Sequence, residues 1–266
     1  MAMDRREFLK IAGLTALLGI GGKSGVELLA PGAVEAALRD VPLAAGKKWG
    51  MALDVLLLDE AVMDECIEAC HNYNNVPRIG NPKEEIKWIW KETYDHAFPG
   101  QENEYLAEAF REKHFLLLCN HCTNPPCVRV CPTKATWKRE DGVVMMDMHR
   151  CIGCRYCMAG CPYGARSFNW GDPRKAPKEL NPGFPTNSEL PTRSMGVVEK
   201  CNFCAERLAK GLFPACVEAA AKVKPNALIF GDLDDAKSQV RSALRKRYSV
   251  RRKPELGTGP NIFYMI

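Results

Sequence analysis

Thirteen cysteines lie in four groups along this 266-residue chain. Cys151, Cys154, Cys157 and Cys161, followed by Pro162, spell C-x2-C-x2-C-x3-C-P. Cys119, Cys122, Cys127 and Cys131, followed by Pro132, repeat the run with a longer middle gap. Three thiolates at this spacing wrap in a tight loop around one face of a [4Fe–4S] cubane, while the x3-C-P arm carries the fourth towards a second cluster. Thiolates so arranged move single electrons. No nucleophile with an adjacent base accompanies them.

The other two groups read as incomplete copies. Cys201 and Cys204 are followed by Cys216, and Ala220 stands where a fourth cysteine belongs. Cys66 and Cys70 keep a terminal C-x3-C, while Met63 and Glu60 occupy the two earlier places. In a two-cluster unit each cluster takes three thiolates from one motif and the last from the other. Pairing motifs two and three gives one set of Cys119, Cys122, Cys127 and Cys161, and a second of Cys151, Cys154, Cys157 and Cys131. Pairing motifs one and four gives a third set, Cys201, Cys204, Cys216 and Cys70. A fourth set would need residues 60, 63, 66 and 220, of which only Cys66 is a cysteine. Three [4Fe–4S] clusters are therefore expected, with Cys66 left free as a small buried hydrophobe.

Other uses of cysteine fit less well. Structural zinc takes closed tetrahedra from two pairs and gives no reason for four-cysteine C-P runs. Disulfides suit short exported chains, but this dense x2 spacing is awkward for bridges and an odd count leaves one thiol over. The C-x-x-C-H string of covalent haem is absent from the sequence.

At the N-terminus, Arg5-Arg6 precede the apolar, Gly- and Ala-rich stretch Ile11–Gly22. Twin arginines before a modest apolar segment mark a Tat-type export signal, expected over residues 1–36 and either cleaved near Val34-Glu35-Ala36 or kept as an anchor. The apolar stretch is shorter than the roughly 20 residues that span a bilayer. Tat export carries folded proteins, so clusters are inserted before the chain meets an oxidising compartment. The expected location is peripheral, on the extracytoplasmic face of the cell membrane.

Residues 46–266 are expected to form one iron–sulfur domain. Trp49–Asp54 reads as a strand, Asp59–His71 as a continuous helix rich in helix formers, and Ile86–Tyr94 as a strand by alternation. Phe115–Leu118 leads into motif two. Thr136–Lys138 and Val143–Asp147 flank Glu140-Asp141-Gly142 as a hairpin. Gly171–Gly196 is Pro-rich and aperiodic, an irregular loop suited to docking. Val197–Glu199 and Ala227–Phe230 bracket motif four, and Ser238–Tyr248 is a helix. The net charge of +5 has its surplus late, in Arg241, Arg245, Lys246, Arg247, Arg251, Arg252 and Lys253, which reads as a solvated helix face and tail or as a patch for an acidic partner or lipid. An exported chain has no use for nucleic acid. His121, inside motif two, tunes its cluster or faces solvent.

Taken in order, Asp54, CNHCTNPPCVRVCPTKAT, DMHRCIGCRYCMAGCPYGARSF, KCNFC…GLFPACVEAA and ALIFGDLDD resemble the NrfC-like ferredoxin subunits of membrane respiratory complexes over residues 46–266. That resemblance implies an α+β fold of two interlocked bacterial-ferredoxin-like halves, with short antiparallel strands and helices around a wire of cubane clusters. The full family pattern has sixteen cysteines and four clusters. This chain departs from it at Glu60, Met63 and Ala220, in a way similar to the DsrO-type subunit of sulfate-reducer complexes (HmeA-type in archaea). The resemblance implies as partners an NrfD-like integral membrane quinone subunit, a c-type cytochrome subunit, and further iron–sulfur and cytochrome b subunits. The implied role is menaquinol-linked electron relay with no catalytic site of its own. The ferredoxin subunit of an exported molybdopterin oxidoreductase is the alternative, and a free diffusible ferredoxin a third reading.

Overall fold

The computed structural model describes residues 46–101, 104–190 and 192–266. The export signal expected over 1–36 lies outside the described residues. Strand β1 (Trp49–Asp54) is buried along nearly its whole length, and Asp54 ends it by accepting the Leu56 N–H at 3.0 Å. Helix α1 (Glu60–Tyr73) starts where the Asp59 carboxylate accepts the Val62 N–H at 3.0 Å, a cap worth about 1 kcal/mol. Its buried face carries Val62, Met63, Cys66 and Cys70. The helix expected over Asp59–His71 thus starts one residue later and runs two further.

Strand β2 (Ile89–Thr93) pairs antiparallel with β3 (His114–Leu118), shorter than the expected Ile86–Tyr94 because Tyr94 opens the short helix α2 (Tyr94–Ala97). Phe98, Phe115, Tyr94 and Tyr264 pack edge-on or tilted behind this pair. Short α3 (Glu108–Arg111) precedes β3, and α4 (Pro126–Arg129) follows motif two. The hairpin of β4 (Thr136–Lys138) and β5 (Val144–Met146) turns at Gly142, whose φ of +84° suits glycine. Helix α5 (Tyr156–Ala159) lies inside motif three, and β6 (Ser167–Phe168) pairs with β7 (Val198–Glu199).

Motif four contributes α6 (Ala205–Ala209) and α7 (Ala215–Val223), followed by β8 (Leu228–Asp232), α8 (Gln239–Lys246), β9 (Ser249–Val250) and β10 (Ile262–Met265). The main sheet has the order β8-β1-β10-β9. β1 pairs antiparallel with β8 and parallel with β10, and α1 packs on α7. Motifs one and four therefore build one half from the two ends of the described chain, enclosing the half built by motifs two and three. This is an α+β fold of two interlocked ferredoxin-like halves. Among the described residues no helix is long and apolar enough to cross a membrane.

The reading of the basic C-terminal stretch as a solvated tail needs correction. Arg245 and Lys246 are exposed, but Ile262, Tyr264, Met265 and Arg252 are buried. Arg252 donates to Ala97 O at 2.8 Å, and Arg247 pairs with Asp54. The continuous apolar, aromatic run Ile262–Met265 is a strand signal, and the run of cations ahead of it obscured it.

The aperiodic 171–196 segment forms only one short helical turn, Pro173–Lys175, yet it is pinned to the core. Asn75 Nδ2 donates to Asn187 O and Leu190 O, each at 2.7 Å. Arg193 stacks on Trp88 and pairs with Glu199 at 2.8 Å. Glu199, wholly buried, also accepts from Trp88 Nε1 at 2.7 Å and Asn169 Nδ2 at 2.6 Å. Removing one partner of a buried ion pair strands the other charge, at a cost of about 3–5 kcal/mol. Glu199→Ala should lose that much stability in anaerobic denaturant unfolding. A loss under ~1 kcal/mol would mean that Arg193 finds water or another acceptor.

Candidate metal centres

Each C-x2-C loop turns on a left-handed residue: His121 at φ +40°, Gly153 at +71° and Phe203 at +56°. These are the second residues between Cys119 and Cys122, Cys151 and Cys154, and Cys201 and Cys204. Such turns aim successive backbone N–H groups into a concavity, the nest geometry of many iron–sulfur sites. For His and Phe this backbone is uncommon and must be held by its surroundings. Their rings stack on each other at 3.7 Å and 19°, His121 Nδ1 accepts the Val144 N–H at 3.0 Å, and Asn261 Nδ2 donates to His121 O at 2.7 Å.

The thiols converge across motifs. Cys119, Cys122, Cys127 and Cys161 line one cavity together with Pro125, Pro126, Tyr163 and Arg166. Cys157 lies near Cys127, Cys151 and Cys131, and Cys216 near Cys204, Cys70, Cys66 and Cys201. Cys154, three residues before Cys157, is exposed. Among the described residues no three His, Cys, Asp or Glu side chains approach closely enough for a single metal ion.

Ionising these thiols is the difficulty. Burial pushes Cys122 and Cys201 up to about 12, and holds Cys70 and Cys216 well above the usual thiol range. A metal ligand must be a thiolate, so the cations of a bound cluster would supply the missing charge. Donors from the chain help. Arg166 Nη2 donates to Cys127 Sγ at 3.1 Å; Asn74 Nδ2 reaches Cys70 Sγ at 3.6 Å and Cys204 Sγ at 3.7 Å; and Phe203 N reaches Cys201 Sγ at 3.5 Å. At Cys131 burial opposes ionisation, but N–H groups led by Thr136 outweigh it and lower the thiol.

Several buried polar atoms beside the cysteines have no protein partner: His121 Nε2, both amide atoms of Asn120, and Arg166 Nε. Burial, then the charges of Lys200 and Arg166, drive the His121 pKa well down and keep its ring neutral. Since Nδ1 accepts from Val144, the proton sits on Nε2, a donor facing inward. Unpaired buried donors are rare. These fit a resident group that brings its own acceptors, such as cluster sulfides. His121 is wholly buried, which removes the solvent-facing reading.

The fourth set keeps a single thiol: Met63, Cys66 and Ala220 share one core cluster, with Cys66 hydrogen-bonded to the Ala220 backbone, and Glu60 turns away from them. Glu60 pairs outward with Lys91 at 2.6 Å and His114 at 2.7 Å. Met63 and Ala220 are packed in the core, and Cys66 Sγ donates to Cys216 O at 3.4 Å. Burial pushes the Cys66 thiol up to about 12.

Arg166, Asn74, Lys200, Thr258 and Asn261 escaped the sequence reading because none lies in a cysteine motif except by folding. Thr258 bonds Cys122 and Tyr163, and Lys200, buried, donates to Cys201 O at 2.7 Å. The three thiol groups form a row. Arg166 faces Cys127 and Cys157 of the first and second, and Cys119 of the first is a charged neighbour of Cys201 of the third.

Residues 112–178 match the family model of a 4Fe-4S dicluster domain. The chain is 38% identical to the Hdr-like menaquinol oxidoreductase iron-sulfur subunit 1 of Archaeoglobus fulgidus, over 98% of this chain and 97% of that protein. It is 34% identical to the menaquinone reductase iron-sulfur cluster-binding subunit of Nitratidesulfovibrio vulgaris, over 82% and 88%. Similarity to the NrfC homolog of Haemophilus influenzae is 38%, over 75% and 72%.

Arg166→Gln removes a cation from two thiol groups at once, and charge near a cluster sets its potential. Spectroscopic redox titration should show two [4Fe–4S] couples falling by on the order of 59 mV, the one-electron equivalent of a tenfold change, with iron content unchanged. Arg166→Lys should restore charge but not the forked contact, giving a smaller fall. Potentials unmoved in Arg166→Gln would remove Arg166 from cluster tuning.

Proposed function

Because this chain belongs to the family of NrfC-like iron–sulfur subunits of respiratory complexes, we propose that it relays electrons through three [4Fe–4S] clusters between a membrane quinone subunit and other redox subunits. The cavity lined jointly by Cys119, Cys122 and Cys127 of one motif and Cys161 of the next supports this reading. Cys119, Cys122, Cys127 and Cys161 hold the first cluster, Cys151, Cys154, Cys157 and Cys131 the second, and Cys201, Cys204, Cys216 and Cys70 the third. Cys66 stays a free thiol. The clusters supply one-electron redox couples. The chain holds them in a row, keeps water from most ligands and sets each potential through Arg166, Asn74, His121 and the loop N–H groups.

The partners proposed are an NrfD-like integral membrane quinone subunit, a c-type cytochrome subunit, and further iron–sulfur and cytochrome b subunits. Two relatives are named for menaquinol or menaquinone, which supports a quinone-linked assembly. The twin-arginine segment supports a peripheral position on the extracytoplasmic face. Purification of the intact complex tests the assembly: membrane cytochromes are expected beside the chain, and a molybdopterin chain in their place would move it to an exported molybdenum enzyme.

The cluster count is testable on the chain itself. Three clusters of four irons each predict twelve irons per chain and three reductively titrated EPR signals; sixteen irons would overturn the pairing. Cys66→Ala should leave iron and spectra unchanged, whereas Cys70→Ala, one helical turn further on, should damage the cluster held by Cys201, Cys204 and Cys216. Equal iron loss in both variants would show the register to be wrong.

A further inference from the structure

Of the thirteen cysteines only Cys154 is exposed. Around it stand Ile152 at 67% exposure, Tyr156 at 63%, Trp170 at 48% and Met195 at 62%. Ile152 and Tyr156 flank it in sequence, and Trp170 and Met195 belong to two further stretches held close to it. A Cβ added at Gly153 would meet Gly196 O at 2.4 Å and the Phe168 ring at 3.3 Å, and Gly196 N donates to Asn169 O at 2.8 Å. Arg155 lies over the Phe168 and Trp170 rings at 5.3 and 4.7 Å.

Single exposed apolar side chains need no explanation. A contiguous group of them around an exposed metal ligand marks an interaction site. Arg155, exposed and without a carboxylate partner among the described ion pairs, gives the rim its cation, whereas Arg150 pairs with Asp147 at 3.5 Å. Aromatic side chains, Met and Arg are the residues enriched at protein interfaces. Lipid fits worse, because hydrocarbon offers the Cys154 thiolate no counter-charge and takes no electron.

We propose that this face docks a second redox protein, one that presents its one-electron cofactor amid apolar side chains ringed by carboxylates. The proposal rests on the relay reading, with a cluster behind Cys154. One electron crosses per event, oxidising that cluster and reducing the partner's cofactor, or the reverse; no bond or proton moves. Because tunnelling falls steeply with distance, the one ligand at the surface is where a partner cofactor comes closest.

Two experiments on the cluster-loaded full chain test it. In the purified complex, Ile152→Glu with Met195→Glu should leave iron and all EPR signals intact while electron transfer to the other subunits slows at least tenfold; unchanged transfer overturns the proposal. In the isolated reduced chain, ferricyanide stands in for the anionic partner. Arg155→Glu should slow its oxidation severalfold at low salt, with the difference vanishing at high salt, and an unchanged rate overturns the cationic rim. Phosphatidylglycerol vesicles should bind wild type and the double variant alike; binding lost only in the variant would assign the face to lipid instead. An unmodified chain without the second cluster's EPR signal would sink the relay reading itself, before any docking is measured.

Discussion

Everything in this structure answers to one constraint: thiols must carry negative charge where water does not reach. Burial, reinforced by neighbouring thiols, drives Cys122 and Cys201 up to about 12, so apolar packing and metal ligation pull against each other. The chain resolves the conflict by aiming donors at the sulfurs. Left-handed loop residues turn N–H groups inward, Arg166 is placed beside Cys127, and Asn74 lies between Cys70 and Cys204. A buried cation such as Arg166 would itself be expensive without nearby anions. The donors and the thiolates each make the other's burial tolerable, which ties the fold's core to its cofactors.

That coupling explains the interlocked topology. A local four-cysteine loop could ligate one cluster, but crossing the last thiolate into another motif makes each centre depend on two stretches of chain. The proposed set of Cys70 with Cys201, Cys204 and Cys216 needs α1 against α7, and the chain packs those two helices together with β1 beside β8. Where the crossing lost its ligands, at Glu60, Met63 and Ala220, the same two helices pack as ordinary elements. The thioether of Met63 and the methyl of Ala220 become core, and Glu60 turns to Lys91 and His114 at the surface.

The cysteine motifs were legible in the sequence because ligand spacing is a local property, and so were β1, α1 and the β4–β5 hairpin, which announce themselves by alternation, capping and turn residues. Long-range groups were not. Arg166 lies five residues beyond Cys161, within the string that carries the resemblance, yet no spacing rule gives it a role and only the fold brings it to Cys127, thirty-nine positions earlier. Asn261 looks like a tail residue until it is found clamping His121 O. His121 could be read two ways because a lone histidine carries no burial signal of its own. The basic run misled for a related reason: charge density suggested solvent, while Arg252 and Arg247 are consumed by internal partners.

The position of β10 has a consequence for how the molecule is made. Ile262 lies beside Met51 in a parallel pair, inside the sheet rather than at its edge. Pairings this distant are slow, because loop-closure entropy must be met before any contact repays it. Through most of its synthesis at the ribosome, β1 therefore waits with one side of its backbone unsatisfied. The segment just before β10 also fastens motif two, since Thr123 N and Asn124 N donate to Gly259 O and Thr258 O at 2.8 Å. A nascent chain stalled before Thr258 would present the sulfur ligands of motif two on a loop not yet fastened, a state more open to proteolysis than the folded chain.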